Sequence, residues 1–405
     1  MSIRVQKYGG TSVSSIPKIK AIASRIADDY LASDNLVIVV SAMGKFTDDL
    51  TEQMLQISEK ASPREFDKLL STGETIAASF LTVALEEIGV PSISLSGMQA
   101  GLETDSVFSK ASITHVDNSR IRLELSKRKV VVVAGFQGAD KENEITTLGR
   151  GGSDTSAVAL AASLKSDICE IYTDVDGVFS ADPRLLETAS LIDEISYEEM
   201  LELSSEGARV IYNRAVELAW LYEIPVLVAS STNIDRSGTI IHGGPFMEDQ
   251  NKVKGIAHDT NVARVTVSGV PDKPGIAAKI FGPLAEKGIS VDIIVQNTGH
   301  EGFSDMSFTV SENTLDQTLE HVKNIAEGLG AREVSGDPSL AKVSIVGAGL
   351  QNSPGYAGAM FKALDEAGVN IEMITTAEIS ITCVVKKELV AKAVEALHDK
   401  FLIDN

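Results

Sequence analysis

Short apolar runs and amphipathic stretches alternate along residues 1–230 of the chain. The apolar runs are rich in Val and Ile and predict β-strands at 3–8, 36–41, 130–135, 168–173 and 225–229. The amphipathic stretches predict helices at 16–32, 75–88 and 155–163. This alternation indicates an α/β fold with helices on both faces of a mostly parallel sheet. Ligands of such sheets bind beyond the carboxyl ends of the strands, so the loops after each strand are the places to search.

The pattern changes after a polar stretch at 243–251, where an internal repeat begins. Segments that start at Ala263 and Ala341 align once two extra residues are allowed before a shared Pro-Gly pair. Each copy predicts a strand, a helix, two strands and a second helix, in the ferredoxin-like βαββαβ order. The second copy lacks a convincing fourth strand. We therefore expect segment 252–259 to complete it, with the first copy inserted into the second.

Composition narrows the class of protein. The 405 residues are 43% hydrophobic, and 36 basic against 57 acidic residues give a net charge of −21. Such a charge repels nucleic acid and anionic membranes, and the apolar runs are too short to span a bilayer. We expect no nucleic-acid or membrane partner and, without a recognisable leader segment, a cytoplasmic location. An anionic substrate would depend on a few local cations and backbone N–H groups.

Cysteines and histidines do not indicate a metal site. Cys169 and Cys383 lie in apolar runs, which is typical of buried free thiols. The six histidines are scattered and show no i, i+4 pair, the spacing of a helical metal site. We predict no metal ligands among the side chains.

The first candidate loop follows the first predicted strand, in KYGGTSV. Lys7 ends that strand, and Gly9 and Gly10 would let backbone N–H groups approach an anion. Thr11 and Ser12 could cap the next helix. An ordinary strand-to-helix turn with a surface lysine explains the same residues, and this loop alone does not decide between the two.

A second glycine-rich loop, TTLGRGGSDTSA, surrounds Arg150 with Gly149, Gly151 and Gly152. A planar guanidinium suits bidentate capture of a carboxylate or a phosphate. Ser153 or Asp154 could cap the following helix. A flexible linker is the less favoured alternative.

Three further loops follow predicted strands or open a helix. In YTDVDGVFSADPR, Thr173 or Asp174 could contact the ribose or the base of a nucleotide, and Arg184 could contact its phosphates. An acidic surface turn explains this segment equally well. Ser41, Lys45 and Thr47 follow the second strand, and Glu74 could hold an ammonium group; simple caps and turns are favoured for these pieces. Five such loops in one α/β half indicate phosphoryl transfer, which needs positioning and charge neutralisation.

These motifs resemble those of aspartate kinases, members of the amino acid kinase family. KYGGTSV, SAMGKFTD, STGE, GFQG, TTLGRGGSDTSA and TDVDGVFSADPR occur in that family's order. The resemblance implies a three-layer amino acid kinase fold with a mostly parallel sheet at 1–245, and regulatory ACT domains at 263–337 and 338–405. It also implies ATP- and Mg²⁺-dependent phosphorylation of the L-aspartate side chain to 4-phospho-L-aspartate. This is the first step towards lysine, methionine and threonine.

The resemblance also assigns roles to individual residues. Lys7 would stabilise the transferring phosphoryl group, and Asp154 would orient the lysine side chain. The aspartate pocket would contain Ser41, Thr47, Glu74, Arg150, Gly151 and Ser153. The ATP site would contain Lys7, Tyr8, Gly9, Gly10, Thr173, Asp174, Phe179, Asp182, Pro183, Arg184 and Arg209. Arg209 departs from the pattern, because it stands where the family often has a lysine.

Paired ACT domains resemble amino-acid sensors, so the resemblance implies inhibition by lysine, threonine or both. Effector contacts are expected in the first unit at Asp272, Ile276, Ala277, Gln296 and Asn297. Those in the second are expected at Asn352, Tyr356, Ala357, Asn370, Ile371 and Thr376. Turn or core packing explains each of these residues equally well. We expect a homo-oligomer through the ACT domains, or a heterotetramer with a separately made ACT fragment.

Two other functions fit parts of the pattern. A glutamate or acetylglutamate kinase of the same fold would share Lys7 and the glycine-rich loops, but would lack tandem ACT units. A non-catalytic amino-acid sensor would keep the ACT units, and the intact Lys7, Arg150, Asp154 and Asp174 argue against it.

Overall fold

The computed structural model describes residues 3–32, 35–233, 237–244, 253–297, 302–350 and 353–402. The described residues form two units. The first contains those of Met1–Phe179, Ser190–Ser205 and Arg209–Glu248. The second contains those of Ser180–Ala189, Glu206–Ala208 and Asp249–Asn405. Of the predicted positions, Asn352, residue 252 and the boundary at 245 lie outside the described residues.

The first unit contains twelve of the described strands. They are β1 (Ile3–Tyr8), β2 (Asn35–Val40), β3 (Ser92–Leu95), β4 (Leu102–Thr104), β5 (Ile113–Val116), β6 (Val130–Ala134), β7 (Gln137–Ala139), β8 (Ile145–Thr147), β9 (Ile168–Thr173), β10 (Glu194–Ser196), β11 (Val226–Ser230) and β12 (Thr239–His242). Its helices are α1 (Ile16–Leu31), α2 (Phe46–Ile57), α3 (Pro63–Glu87), α4 (Ser119–Ser126), α5 (Gly152–Leu164), α6 (Tyr197–Ser205) and α7 (Asn213–Leu221).

Eight of these strands form one sheet in the order β10-β12-β11-β9-β1-β2-β6-β3. β12 is antiparallel to β11, and the other neighbouring strands of this sheet are parallel to each other. Strand β6 reads VVVVA and is buried at every position, as expected for a parallel strand covered on both faces. A smaller sheet has the order β5-β4-β7-β8. The α/β prediction is confirmed.

Alternation along β1 separates the two faces of the large sheet. Tyr8 packs in a core with residues of α1 and α3, such as Ile22 and Leu81. Lys7, one position earlier, faces the opposite side and reaches α5. Helices therefore cover both faces of the sheet. Within the residues that the structure describes, none of the helices has both the length and the apolar character of a membrane span.

The second unit contains six described strands and four described α-helices. The strands are β13 (Gly255–Pro271), β14 (Ile294–Gln296), β15 (Phe303–Val310), β16 (Glu333–Val346), β17 (Met373–Thr376) and β18 (Ser380–Lys386). The helices are α8 (Ile276–Glu286), α9 (Leu315–Leu329), α10 (Tyr356–Glu366) and α11 (Val390–Phe401). The strands form one sheet in the order β14-β15-β13-β16-β18-β17.

Two long strands hold the ferredoxin-like copies in one sheet. β13 has 17 residues and β16 has 14, and they pair antiparallel from Gly255↔Val346 to Ser268↔Glu333. The first part of β13 thus pairs with the end of β16, which belongs to the second copy. The later part of β13 pairs with β15 of the first copy. Gly255–Asp259 consequently lies where the second copy needs a strand.

A segment between β9 and β10 belongs to the second unit, which the sequence pattern did not indicate. The backbone N–H of Ile256 donates to the Ser180 carbonyl at 2.7 Å, and Ser180 Oγ lies 3.0 Å from His398 Nε2. Ala181 is buried in the core around β16 and β18. Ser180–Ala189 therefore folds as part of the second unit.

We expect the two cores of the second unit to unfold in one transition, because β13 and β16 run through both. Phe308 is buried in one core and Leu364 in the other. Phe308→Ala and Leu364→Ala should each destabilise that transition by about 2–5 kcal/mol. Urea unfolding followed by hydrogen exchange of β15 and β18 measures this.

The exposed Ile374 provides a control, since Ile374→Ala leaves no buried cavity. Two separate transitions, each shifted by one core variant alone, would contradict the shared sheet.

Candidate active site

Backbone hydrogen bonds join the carboxyl ends of four neighbouring strands. The N–H of Gly9 donates to the Tyr172 carbonyl at 3.1 Å, and that of Ser41 donates to the Tyr8 carbonyl at 3.1 Å. The N–H of Gly135 donates to the Val40 carbonyl at 3.0 Å. The loops after β1, β2, β6 and β9 are thus fixed side by side.

A buried ion pair lies at this edge. Lys7 Nζ is 2.6 Å from Asp154 Oδ1, and both residues are more than nine-tenths buried. Asp154 lies in the first turn of α5, where the helix N-terminus favours a carboxylate. The pairing fixes the ammonium group of Lys7 beside Gly9. A Cβ at Gly9 would lie 3.5 Å from Lys7 Nζ.

Gly10 allows two loops to approach each other closely. A Cβ at this position would lie 2.7 Å from the Ala42 carbonyl oxygen, and the N–H of Gly44 donates to the Gly10 carbonyl at 3.0 Å. The expectation that Thr11 or Ser12 caps α1 is wrong, because the N-cap residue is Ser15. Ser12 Oγ instead donates to Ser231 Oγ at 2.8 Å.

Glu74 projects from α3 into the same region and is almost completely buried. Its Oε1 accepts a hydrogen bond from the Ala42 N–H at 3.0 Å. Its Oε2 is buried without a hydrogen-bond partner among the described residues. Burial raises the pKa of Glu74 to about 7, because desolvation disfavours the charged form. A ligand cation at Oε2 would supply the missing partner.

Arg150 is exposed in the loop between β8 and α5. The flanking Gly149 and Gly151 have φ values of 75° and 68°, which favour glycine. A Cβ at Gly151 would lie 2.0 Å from Tyr212 Cγ, so the loop packs directly on that ring. Gly151 is also the N-cap of α5, which makes the expected Ser153 or Asp154 cap wrong. The loop needs glycine here for both reasons.

The other predicted aspartate-pocket residues lie in the same unit. Ser153 is buried beside Gly135, where a Cβ would lie 2.9 Å from Ser153 Oγ. Ser41 is half-buried directly after β2, and Thr47 is half-buried in the first turn of α2.

The predicted ATP residues divide between the two units. Thr173 ends β9, and its Oγ1 donates to Asp174 Oδ1 at 3.1 Å. Phe179 is half-buried and pairs with Leu191, and Arg209 is exposed. The Tyr8 side chain is fully buried and stacks on Tyr172, at 5.1 Å between ring centroids.

Asp182, Pro183 and Arg184 belong to the second unit. Arg184 grips Asp182 with two side-chain hydrogen bonds of 3.0 and 2.8 Å. These bonds hold the pKa of Asp182 below its usual value. The triplet is thus a preformed turn.

The predicted effector residues of the second unit differ in exposure. Ile276 is the first residue of α8 and is buried in the core of the first copy. The exposed ones are Asp272, Ala277, Gln296, Asn297, Asn370 and Thr376, and the partly buried ones are Tyr356, Ala357 and Ile371. Several already have local partners; for example, Gln296 Nε2 donates to Ser304 Oγ at 3.3 Å.

The fold and this edge define a phosphotransferase of the parallel α/β class. The model of the amino acid kinase family matches residues 2–230, and ACT domain models match 264–327 and 343–401. The aspartokinase of Pseudomonas aeruginosa is 46% identical, over 100% of this chain and 98% of its own. Aspartokinase 2 of Bacillus subtilis is 45% identical, over 99% and 98%.

Solved structures agree with these matches. Escherichia coli aspartokinase III with aspartate and ADP superposes with a TM-score of 0.79 at 26% identity, covering 98% of this chain and 99% of that one. The same enzyme with lysine and aspartate gives a TM-score of 0.76 at 25% identity, covering 99% of each. The chain belongs to the aspartate kinases of the amino acid kinase family. It is a kinase that uses ATP as co-substrate, and its ACT domains fit allosteric regulation.

We expect Gly10→Ala to destabilise the first unit and to abolish turnover, because its Cβ would meet a backbone oxygen that cannot easily move. Gly9→Ala is the matched variant, since its Cβ would make only ordinary contacts at 3.5 and 3.7 Å. It should keep the wild-type melting temperature but raise KM for ATP, because the methyl group occupies the space beside Lys7. Thermal unfolding and ATP kinetics measure the two effects. Equal melting temperatures for both variants would contradict the close approach at Gly10.

Proposed function

We propose that the chain transfers the γ-phosphoryl group of ATP to the side-chain carboxylate of L-aspartate, giving 4-phospho-L-aspartate and ADP. This reaction opens the synthesis of lysine, methionine and threonine. The buried Lys7–Asp154 pair beside Gly9 and Gly10 carries the proposal, since it holds a cation where glycine leaves the backbone accessible. The solved relative with aspartate and ADP supports the same pair of ligands.

Lys7 neutralises charge on the transferring phosphoryl group, and Asp154 keeps the ammonium group in place. Tyr8 contributes backbone atoms, because its side chain lies in the core. The nucleotide is bound by Lys7, Gly9, Gly10, Thr173, Asp174, Phe179, Asp182, Pro183, Arg184 and Arg209. The described residues contain no group of three or more His, Cys, Asp or Glu that could hold a metal ion. Mg²⁺ therefore fits as an ion carried by the ATP phosphates and water, where it supplies further charge neutralisation.

Aspartate is bound by its two charged α-groups. Arg150 grips the α-carboxylate, for which a planar guanidinium is suited. Glu74 accepts the α-ammonium at Oε2, which is buried without a partner among the described residues. The remaining pocket residues are Ser41, Thr47, Gly151 and Ser153. Held at its α-carbon by these two contacts, the substrate presents the side-chain carboxylate at its other end to the phosphoryl group.

Lysine, threonine or both regulate the enzyme at the second unit. The lysine complex of the solved relative supports lysine in particular. Effectors contact Asp272, Ile276, Ala277, Gln296 and Asn297, and in the second copy Asn352, Tyr356, Ala357, Asn370, Ile371 and Thr376. Edge strands β14 and β17 favour assembly through the ACT domains, as a homo-oligomer or with a separate ACT fragment.

The domain limits and the location stay predictions from the sequence. The proposed domains are 1–245, 263–337 and 338–405, and the pairing of Gly255–Asp259 with β16 supports a contribution of 252–259 to the last of them. A cytoplasmic location is proposed for the enzyme.

The first test is trapping of the acyl phosphate as its hydroxamate, with ATP and L-aspartate, L-glutamate or N-acetyl-L-glutamate. We expect product from aspartate alone. Arg150→Ala should raise KM for aspartate about 100-fold, because a charge-assisted bidentate contact is lost. Arg120→Ala, an exposed arginine on α4, is the control.

Each assay is repeated with added lysine and threonine, which identifies the effector. Hydroxamate formed from glutamate or acetylglutamate and not from aspartate would show that aspartate is not the substrate. No hydroxamate from any acid, despite bound ATP, would leave an amino-acid sensor.

The raised pKa of Glu74 predicts a pH dependence of aspartate binding. The carboxyl group must ionise to pair with the ammonium, so KM for aspartate should fall about tenfold per pH unit up to about pH 7 and then level off. Glu74→Gln should give a higher KM that does not vary with pH over this range. Steady-state kinetics between about pH 5.5 and 8 measure both.

The raised pKa of Glu74 also makes the free energy of unfolding depend on pH. The folded-state pKa lies above the unfolded value, so protonated Glu74 favours the folded state at low pH. That contribution is lost as pH rises from about 4.5 to about 7. Glu74→Gln should remove this part of the pH dependence of unfolding.

A pH-independent KM for aspartate in the wild type would contradict the proposed ammonium contact.

A further inference from the structure

Two side chains, the fully buried Asp67 and the half-buried Arg214, hold the same pair of chain segments next to Arg150. One segment is 109–111, and the other is 147–148, which directly precedes the glycine-rich loop. Neither Asp67 nor Arg214 has a role in the binding described above, and both lie outside the motifs of that loop. Their contacts converge on the backbone that leads to Arg150.

Asp67 holds both segments through their donors. It is fully buried on α3. Its Oδ2 accepts from the N–H groups of Ser109 at 2.8 Å and Thr147 at 2.7 Å. Its Oδ1 accepts from the hydroxyls of the same residues, at 3.2 and 2.8 Å. A buried carboxylate with four donors is rigidly fixed, and so are the residues that donate to it.

Arg214 holds both segments through their acceptors. It lies on α7, and its Nη1 donates to the Leu148 carbonyl at 3.1 Å. Its Nη2 donates to the Ala111 carbonyl at 2.8 Å. The N–H of Ala111 also donates to the Thr147 carbonyl at 2.9 Å, so the segments are bonded directly as well. A planar guanidinium can bridge two carbonyls in this way, whereas an ammonium group is a single point charge.

Backbone strain at Ser109 indicates that this arrangement is imposed by its surroundings. Ser109 has a φ of 68°, in the left-handed region that non-glycine residues seldom adopt. Its N–H and its hydroxyl both donate to Asp67. A Cβ at Gly149 would lie 3.1 Å from the Ser109 carbonyl oxygen, so this strained residue lies against the loop beside Arg150.

The geometry points to Asp67 and Arg214 as positioning residues that fix the direction of the Arg150 guanidinium towards the substrate. The inference rests on the proposed contact between Arg150 and the aspartate α-carboxylate. Arg150 itself is exposed, and glycines flank it on both sides, so its loop has little stiffness of its own. The clamp formed by Asp67 on α3 and Arg214 on α7 supplies that stiffness from two helices.

The test compares Asp67→Asn and Arg214→Lys with the wild-type full-length chain. Asp67→Asn keeps the shape but removes the negative charge that four donors share, and its NH2 group must donate to the two hydroxyls instead of accepting from them. Arg214→Lys keeps the charge but cannot bridge two carbonyls in the same plane. Each should raise KM for aspartate about 10- to 100-fold and lower kcat, with less than a threefold change in KM for ATP. Asp140→Asn is the matched control, because Asp140 accepts two backbone N–H groups in the β7–β8 turn.

Hydrogen exchange gives a readout that does not depend on activity. In both variants, peptides covering 145–151 should exchange faster, whereas those of β9 should not change. Thr147→Val, which removes one hydroxyl donor to Asp67, is the milder variant should Asp67→Asn fail to fold. It should show the same changes to a smaller degree.

A double-mutant cycle separates failure of this inference from failure of the proposed function. In an Arg150→Ala background, Asp67→Asn should have no further effect on KM for aspartate, because the clamp acts through Arg150. Additive effects, or equal losses for aspartate and ATP, would overturn the positioning role while leaving the Arg150 contact intact. An unchanged KM in Arg150→Ala alone would instead overturn the proposed contact.

Discussion

The buried ion pair between Lys7 and Asp154 constrains the rest of the first unit. Two charges removed from water are tolerated when they are paired closely, so β1 and the first turn of α5 must meet within a few ångströms. β1 lies in the middle of the sheet between β2 and β9, so that all three strands end beside the pair. The loops that follow these strands are consequently gathered at one edge. Phosphoryl transfer needs such an edge, where a fixed cation and accessible backbone can meet.

Small residues allow the loops that follow β1, β2 and β6 to pack closely at this edge of the sheet. Gly10 contacts the loop after β2, and Gly135 leaves room for Ser153.

The overall charge of −21 gives an anionic substrate no general attraction. Binding must therefore come from local cations, of which Lys7 is buried and paired while Arg150 is exposed on a glycine-rich loop. This contrast fits the fixed catalytic role proposed for Lys7 and the positioning by Asp67 and Arg214 proposed for Arg150.

In the second unit, β13 and β16 pair along most of their length, so the two ferredoxin-like copies share one continuous sheet. The segment Ser180–Ala189 is part of this fold, with Ala181 in the core and Ser180 bonded to β13. Asp182 and Arg184, assigned to ATP by the family resemblance, are therefore positioned by the same unit that the effectors are proposed to bind.

Periodicity and motif order in the sequence were enough to predict the α/β class, most central strands and the glycine-rich loops. β1 and β9 begin and end where the apolar runs indicated. One helix start was predicted wrongly: α3 begins at Pro63, well before the expected residue 75, although Ser62 caps it and Pro63 and Glu65 in the PREFDKLL stretch are typical of a helix start. Asp67 in that stretch looks like an ordinary surface carboxylate, yet it is buried on partners 42 and 80 residues away. Contacts over such separations leave no period in the chain, so the clamp around Arg150 and the assignment of Ser180–Ala189 to the second unit follow from packing in three dimensions.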